Sequence, residues 1–275
     1  MTRLINMLRP VGLTIAALGT LAACGGGGAS TPIATPTPFA TLGDTASQQS
    51  AALAAASLDT GARTTSALTG TLNRAGNTAN IGTLSGAINA NRSAITLTAG
   101  GTVALQAGAN SFSTRYIATP TTGNATIGVL GAVTPTADLP GGSVTMTGPA
   151  TVTIQNGTAL FDLTGDATIA ANFGTDRVTT TLSGLNGTQT NGVTPAVNVT
   201  DVATVTITGS TITGATFNGG TIAVMSATLP TISAGAVTST NGAFFGPTGN
   251  EAGGVFVADD TATGNLRIFG DFIGK

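Results

Sequence analysis

The chain has 275 residues, 41% of them apolar, 7% charged and 4% aromatic, with 9 basic against 11 acidic groups and 40 glycines. That length and apolar content suit one large all-β domain or two smaller ones. With no histidine, no tryptophan and a single cysteine, it excludes a Ser-His-Asp or Cys-His centre, an imidazole switch, a zinc cage and an internal disulfide. Weak charge and few aromatics also remove the electrostatic footprint and stacking platforms of nucleic-acid binding.

Arg3 and Arg9 flank the start of a short apolar run, Val11 to Leu21, that ends in Leu21-Ala22-Ala23-Cys24. The run is too short to span a bilayer and polar sequence follows, so residues 1–23 read as a cleaved secretory signal. Leu-Ala-Ala-Cys resembles the bacterial lipobox, in which the cysteine is acylated and becomes the first residue of the mature protein. Cys24 is the lone cysteine, and exported proteins rarely keep an unpaired reactive thiol. The bland alternative is a plain signal peptide with an incidental cysteine near its cleavage site. Several acyl chains on one residue would anchor far more firmly than a single one. Gly25 follows the cysteine where aspartate tends to retain lipoproteins at the inner membrane, so the resemblance implies the outer membrane. Cleavage takes away Arg3 and Arg9 and no acid, which leaves a mildly acidic mature chain with too little charge to steer a partner.

Gly25-Gly26-Gly27-Gly28 runs into Ser30, Thr31, Pro32, Pro36 and Pro38. Glycine gives flexibility and proline extension, so residues 24–41 read as a tether. A phosphate-cradling loop would need a preceding strand, a following helix and usually a lysine, none of which is here. Residues 45–59 carry Ala, Ser, Gln and Leu without Pro or Gly, with Thr45 placed to cap and Gly61 to terminate, so a short helix is expected there.

From about Thr64 the texture changes to period two. Ile95-Thr96-Leu97-Thr98, Thr102 to Leu105, Val144 to Thr147, Thr151 to Ile154 and Ala203 to Thr208 all alternate apolar residues with threonine. Alternation puts the apolar side chains on one face and the hydroxyls on the other, the pattern of half-buried antiparallel strands. Threonine suits the wet face because it is β-branched yet polar. Asn-Gly pairs at 156–157, 186–187, 191–192, 218–219 and 241–242 are read as tight turns, with the best hairpin formed by residues 150–155 and 158–163. Regular strands and turns from Asn124 to Phe272 suit a sandwich or barrel of roughly eight to ten strands. A β-solenoid fits the composition too, but no constant repeat period is present and the prolines fall irregularly.

The stretch Gly242 to Phe256 (GAFFGPTGNEAGGVF) resembles the closing hairpin of the transferrin-binding protein B-like β-barrel family. Members there read as an aromatic, Gly-Pro, small residues, Glu, any residue, Gly-Gly, any residue, Phe. Ile268-Phe269-Gly270 resembles the terminal strand, Asp138 to Gly148 the opening strand, and Gly165 to Gly174 the middle strand ending in Phe-Gly. The resemblance implies an all-β fold: an antiparallel up-and-down barrel of about eight strands over 123–275, preceded by a smaller β-rich handle over 42–122. It also implies display at the cell surface, with a dedicated outer-membrane translocator as one partner.

The motif residues have a physical reading of their own. Gly246 and Pro247 fix a bend, Gly253 and Gly254 allow a tight backbone approach or a bulge, and Phe256 offers apolar area to core or wall. Glu251, the sole glutamate, is read as capping backbone N–H groups in that turn, with a ligand-facing carboxylate as the alternative. Asp259-Asp260 matches no calcium loop and is read as a solvated hairpin loop. No catalytic residue, cofactor site or metal site is assigned, and Cys24 is the lipidation site. The function expected is a non-enzymatic, lipid-anchored binding protein for an unidentified protein or small solute. The alternative is a structural or adhesive surface protein making weak, repeated contacts through its threonine faces.

Overall fold

The threonine-rich alternating stretches become strands because each can bury one face and wet the other. The computed structural model describes residues 48–55, 65–73, 78–89, 93–106, 109–190, 195–260 and 265–275. The expected signal peptide over 1–23, Cys24, the tether over 24–41 and the Asn191-Gly192 pair lie outside the described residues.

The first eight strands are β1 (Gln48–Ala55), β2 (Thr65–Asn73), β3 (Thr78–Ile81), β4 (Leu84–Ile88), β5 (Ala94–Leu97), β6 (Gly101–Gln106), β7 (Ser113–Pro120) and β8 (Thr126–Gly131). Each pairs with the next and β8 pairs with β1, so the region expected as a handle is itself a closed antiparallel barrel. One expectation changes here. The short helix expected over 45–59 gives way to β1, which pairs with β2 along its length and with β8 from Ala51 to Ala55. Helix preference is worth only tenths of a kcal/mol per residue, whereas β1 closes two sheet edges at once. β8, which lies beyond the boundary expected at 123, supplies the last wall of this first barrel. Ile81, Ile95, Leu97, Val103, Leu105, Tyr116, Ala118 and Leu130 fill its interior.

A 3-10 turn (Thr136–Asp138) leads to β9 (Ser143–Asn156), β10 (Ala159–Asn172), β11 (Arg177–Thr190), β12 (Val197–Val199), β13 (Thr204–Thr213), β14 (Thr216–Asn218), β15 (Thr221–Met225), β16 (Val237–Phe245), β17 (Glu251–Asp260) and β18 (Leu266–Gly274). The pairing of β11 with β13 closes a ring in the order β9, β10, β11, β13, β14, β16, β17, β18 and back to β9. β12 and β15 hang on the ring as short outliers, on β11 and β13 respectively. All these pairs are antiparallel, so the solenoid reading is set aside in favour of a barrel. β9 is one long strand where two were expected, Val144–Thr147 and Thr151–Ile154. Pro149 is tolerated inside it because it falls in the gap between the Ala150–Phe272 pair and the Thr147–Lys275 bonds.

The Asn-Gly pairs divide by context. Asn156 and Ala159 pair directly, so the hairpin loop is Gly157-Thr158, with positive φ at Gly157 only, as in a type II′ turn. Asn218-Gly219 breaks β14 from β15. Asn186-Gly187 and Asn241-Gly242 are not turns but lie within β11 and β16. There glycine is needed for close approach: a Cβ on Gly242 would lie 2.0 Å from Phe217 Cζ, whose ring covers its cross-strand partner.

The second barrel is filled by Val152, Ile154, Leu163, Ile169, Leu182, Val205, Phe217, Phe244, Phe256, Phe272 and their neighbours. A separate apolar layer joins the two barrels: Val129 of β8 packs with Phe245, Val255, Val257, Phe269 and Ile273. β17 is therefore buried on both faces, which is why Ala252 to Ala258 runs apolar without alternating.

Candidate binding surface

The motif of the closing strands turns out to be the fastening between the barrels. Gly246, at φ +86°, ends β16, and its N–H donates to the Ala132 carbonyl at 2.9 Å. A Cβ there would press on the Phe112 ring at 2.9 Å, and Pro247 carries the chain into the turn before β17. Glu251 opens β17 and is 3% exposed. Its carboxylate accepts from the Ser111 N–H at 2.6 Å, the Phe112 N–H at 2.9 Å and the Ser113 hydroxyl at 2.8 Å. The donors it meets lie at the entry to β7, not in its own turn, where capping was expected. Gly253 and Gly254 lie within the strand and form no bulge. A Cβ on Gly253 would meet Val129 Cγ1 at 2.9 Å, and one on Gly254 would meet Phe272 Cζ at 2.8 Å. The absence of side chains lets the first barrel and the Phe272 ring approach from opposite sides. Phe256 points inward and packs over Gly270, 6.5 Å from the Phe272 ring centroid.

A buried ion pair, not anticipated from the sequence, lies in the same seam. Arg115 of β7 donates to Asp271 of β18 at 2.9 Å and to the Thr151 hydroxyl of β9 at 2.5 Å. Register places Thr151 directly beside Asp271. Burial, the dominant effect, pushes the Asp271 carboxyl up to about 6, with the Arg115 charge offsetting part of it. Burial, with a smaller contribution from the Asp271 charge, also pushes the Tyr116 phenol above its ordinary range, and that hydroxyl has no hydrogen-bond partner among the described residues. A charge inside an otherwise apolar run, as in Ile268-Phe269-Gly270-Asp271-Phe272-Ile273, is the signal that would have flagged the pair.

Asp259 and Asp260 are likewise engaged. Asp259 faces Arg267 at 3.4 Å across the β17–β18 pair. Asp260 is 3% exposed and accepts from the Ser233 N–H at 2.8 Å and hydroxyl at 2.6 Å, so the solvated loop expected there is a buried brace. The acidic groups best shielded from water are thus committed to holding strands and loops.

The outside of the second barrel is built differently. The outer wall of the second barrel carries threonines in register, Thr147 beside Thr168, Thr168 beside Thr181 and Thr181 beside Thr206. At one rim, where the Gly157-Thr158 turn, the start of β12 and the 226–236 connection gather, the character changes. Val197, Met225 and Val237, at the ends of β12, β15 and β16 there, are 56%, 70% and 62% exposed, large apolar side chains facing water. Beside Met225 lies an open cleft of about 400 Å³ lined by Gly184, Asp201, Ala203, Thr204, Ser226 and Ala227. Asp201 is held there at φ +46°, its N–H donating to Asn186 Oδ1 at 2.9 Å.

No curated protein matches the chain. Among solved structures, a transferrin binding protein B mutant from Haemophilus parasuis Hp5 superposes with a TM-score of 0.55 at 16% identity, covering 84% of this chain and 44% of that one. A double mutant of the same protein gives a TM-score of 0.51 at 17% identity with the same coverage. At such identities the likeness is one of fold, and this chain spans less than half the length of those structures. The family model described as the C-lobe and N-lobe β-barrels of Tf-binding protein B matches residues 119–275, which take in β8 and the whole second barrel. That match covers more than half of the 275 residues, and the chain belongs to the family of Tf-binding protein B β-barrels.

Proposed function

We propose that this protein is a lipid-anchored protein of the outer membrane, displayed at the cell surface, that binds a partner protein or small solute without chemical turnover. The observation that carries this reading is the family match over 119–275. The Leu21 to Cys24 motif supports an acylated N-terminus, and the glycine- and proline-bearing stretch after it suits a tether. An outer-membrane translocator is the partner that would bring such a protein to the outside.

The interior of each barrel holds a dense apolar cluster, so a ligand is met by loops and outer walls. A non-catalytic role agrees with the use made of the side chains: Glu251, Asp260 and Asp271 each serve a hydrogen-bonded brace or ion pair inside the fold. With 7% charged residues, binding should depend weakly on salt.

The test is a solution screen with the mature chain carrying Cys24→Ala, run against host serum proteins and small solutes at low and high salt. A saturable ligand whose affinity changes little with salt supports the reading. Turnover of a substrate that is lost on replacing one aspartate would overturn it. Mass spectrometry of the native protein should find Cys24 as an acylated N-terminus, and an unmodified Cys24 in membrane fractions would remove the anchor.

A further inference from the structure

The wall of the second barrel opens at one place. β14 pairs with β16 from Thr216–Ala243 to Asn218–Asn241, and the Gly219 N–H still donates to the Thr240 carbonyl. Gly219 and Gly220 then take φ of +72° and +95°, and the chain turns away from β16. From Thr221 to Met225 it pairs only with β13, while Val237 to Ser239 pairs only with β17, among the described residues. Among the described residues, neither of these two edges has a strand partner on its other side.

An uncovered strand edge is a hazard that natural sheets blunt with lysine, proline, bulges or short length. Both lips are short, but neither carries a charge or a proline: Thr221-Ile222-Ala223-Val224-Met225 and Val237-Thr238-Ser239-Thr240 hold none. Met225 and Val237, two of the three exposed large apolar residues described, flank this opening. At its root the Thr240 hydroxyl is buried and has no hydrogen-bond partner among the described residues. Ile222 and Val224 face the core, 3% and 4% exposed, while Thr221, Ala223 and Met225 face out.

We propose that this seam is a docking site in which an extended, uncharged strand of a partner protein adds to the edge of β15. Only a polypeptide backbone offers alternating N–H and C=O groups at the repeat of a strand edge. The partner's inward residues would be apolar, to continue the Ile222 and Val224 layer. Its outward residues would be small or hydroxylated, to continue the threonine wall, and neither lip has a charge for it to answer. The inference rests on reading the protein as a binding module, and names the class of partner.

The experiment follows backbone amide exchange in the mature Cys24→Ala chain, with N-acetyl-Thr-Val-Thr-Val-Thr-Val-Thr-amide as the probe. In an antiparallel strand alternate amides face opposite sides, so alternate N–H groups of Thr221 to Met225 should exchange fast in the free protein. The peptide should slow them by about tenfold, and an analogue N-methylated at alternate residues should have no effect. Ala223→Lys with Met225→Lys should abolish the protection while Tm stays unchanged. Full protection in the free protein, or equal protection by the N-methylated analogue, would overturn the proposal. So would concentration-dependent dimerisation that protects the same amides, which would assign the edge to a second copy. None of these outcomes depends on the lipid or on display, so they leave the anchored-surface reading to its own test.

Discussion

Replacing Asp271 with asparagine probes the fastening between the barrels where its charge is most deeply placed. Asp271 is 1% exposed and its counter-charge, Arg115, 14%. Burial raises its carboxyl from an ordinary 3.8 to about 6 despite the attraction of Arg115 and the bonds from Thr151. Between about pH 4 and pH 6 the folded protein therefore holds a proton that the unfolded chain has released, so stability falls as pH rises through this window. At ~1.4 kcal/mol per pH unit, the loss from this group reaches about 3 kcal/mol above pH 6. With a urea m-value of ~3 kcal/mol/M for a chain of this size, that is a drop of about 1 M in the urea midpoint. The assay is equilibrium urea unfolding at half-unit steps from pH 3.5 to 7 for wild type and Asp271→Asn. The other carboxylates contribute equally to both, so the difference between the two profiles isolates Asp271. The wild-type midpoint should fall relative to the variant by about 1 M, and most of that change should lie between pH 4 and 6. Parallel profiles would refute the reasoning.

Glu251→Gln should cost about 2 kcal/mol, because it weakens charge-assisted bonds from two backbone N–H groups and a hydroxyl, and Glu251→Ala should cost more by leaving those donors unmet; thermal unfolding measures both. Gly242→Val should destabilise by about 3 kcal/mol or prevent folding, since its Cβ would fall on the Phe217 ring, whereas Gly157→Ala, with open space around it, should cost about 1 kcal/mol through its positive φ alone. Residues 132–275 expressed alone should aggregate or bind a hydrophobic dye, because Phe245, Val255, Val257 and Phe269 lose the cover of the first barrel; a soluble, cooperatively unfolding fragment would contradict the shared apolar layer.

The strands most legible in the sequence are those with one wet face. Thr151 to Ile154 and Ala203 to Thr208 announce themselves because threonine alternates with Val and Ile, and both lie in strands of the second barrel. The Gly-Pro, Glu, Gly-Gly motif marks the closing hairpin, β16 to β17, where the family resemblance places it. What escaped is what depends on contacts distant along the chain. Gln48 to Ala55 has helix-friendly composition, and only its pairing with β2 and β8 makes it a strand. Asn241-Gly242 looks like a turn until Phe217 is laid across it. Glu251 could be assigned a capping role, but its donors at 111–113 lie 138 to 140 residues away. The seam beside β15 is invisible to periodicity, because Thr221 to Met225 alternates as any paired strand would.

The central claim, a barrel protein tethered to the outer membrane and facing outward to bind, is tested most directly by protease treatment of intact cells. Immunoblots should show the second barrel lost from intact cells while a periplasmic control protein survives. Cys24→Ala, which removes the thiol proposed to carry the lipid, should clear it from the cell surface altogether. Complete protection of the wild-type protein until the outer membrane is permeabilised would contradict the claim and place the barrels on the periplasmic face.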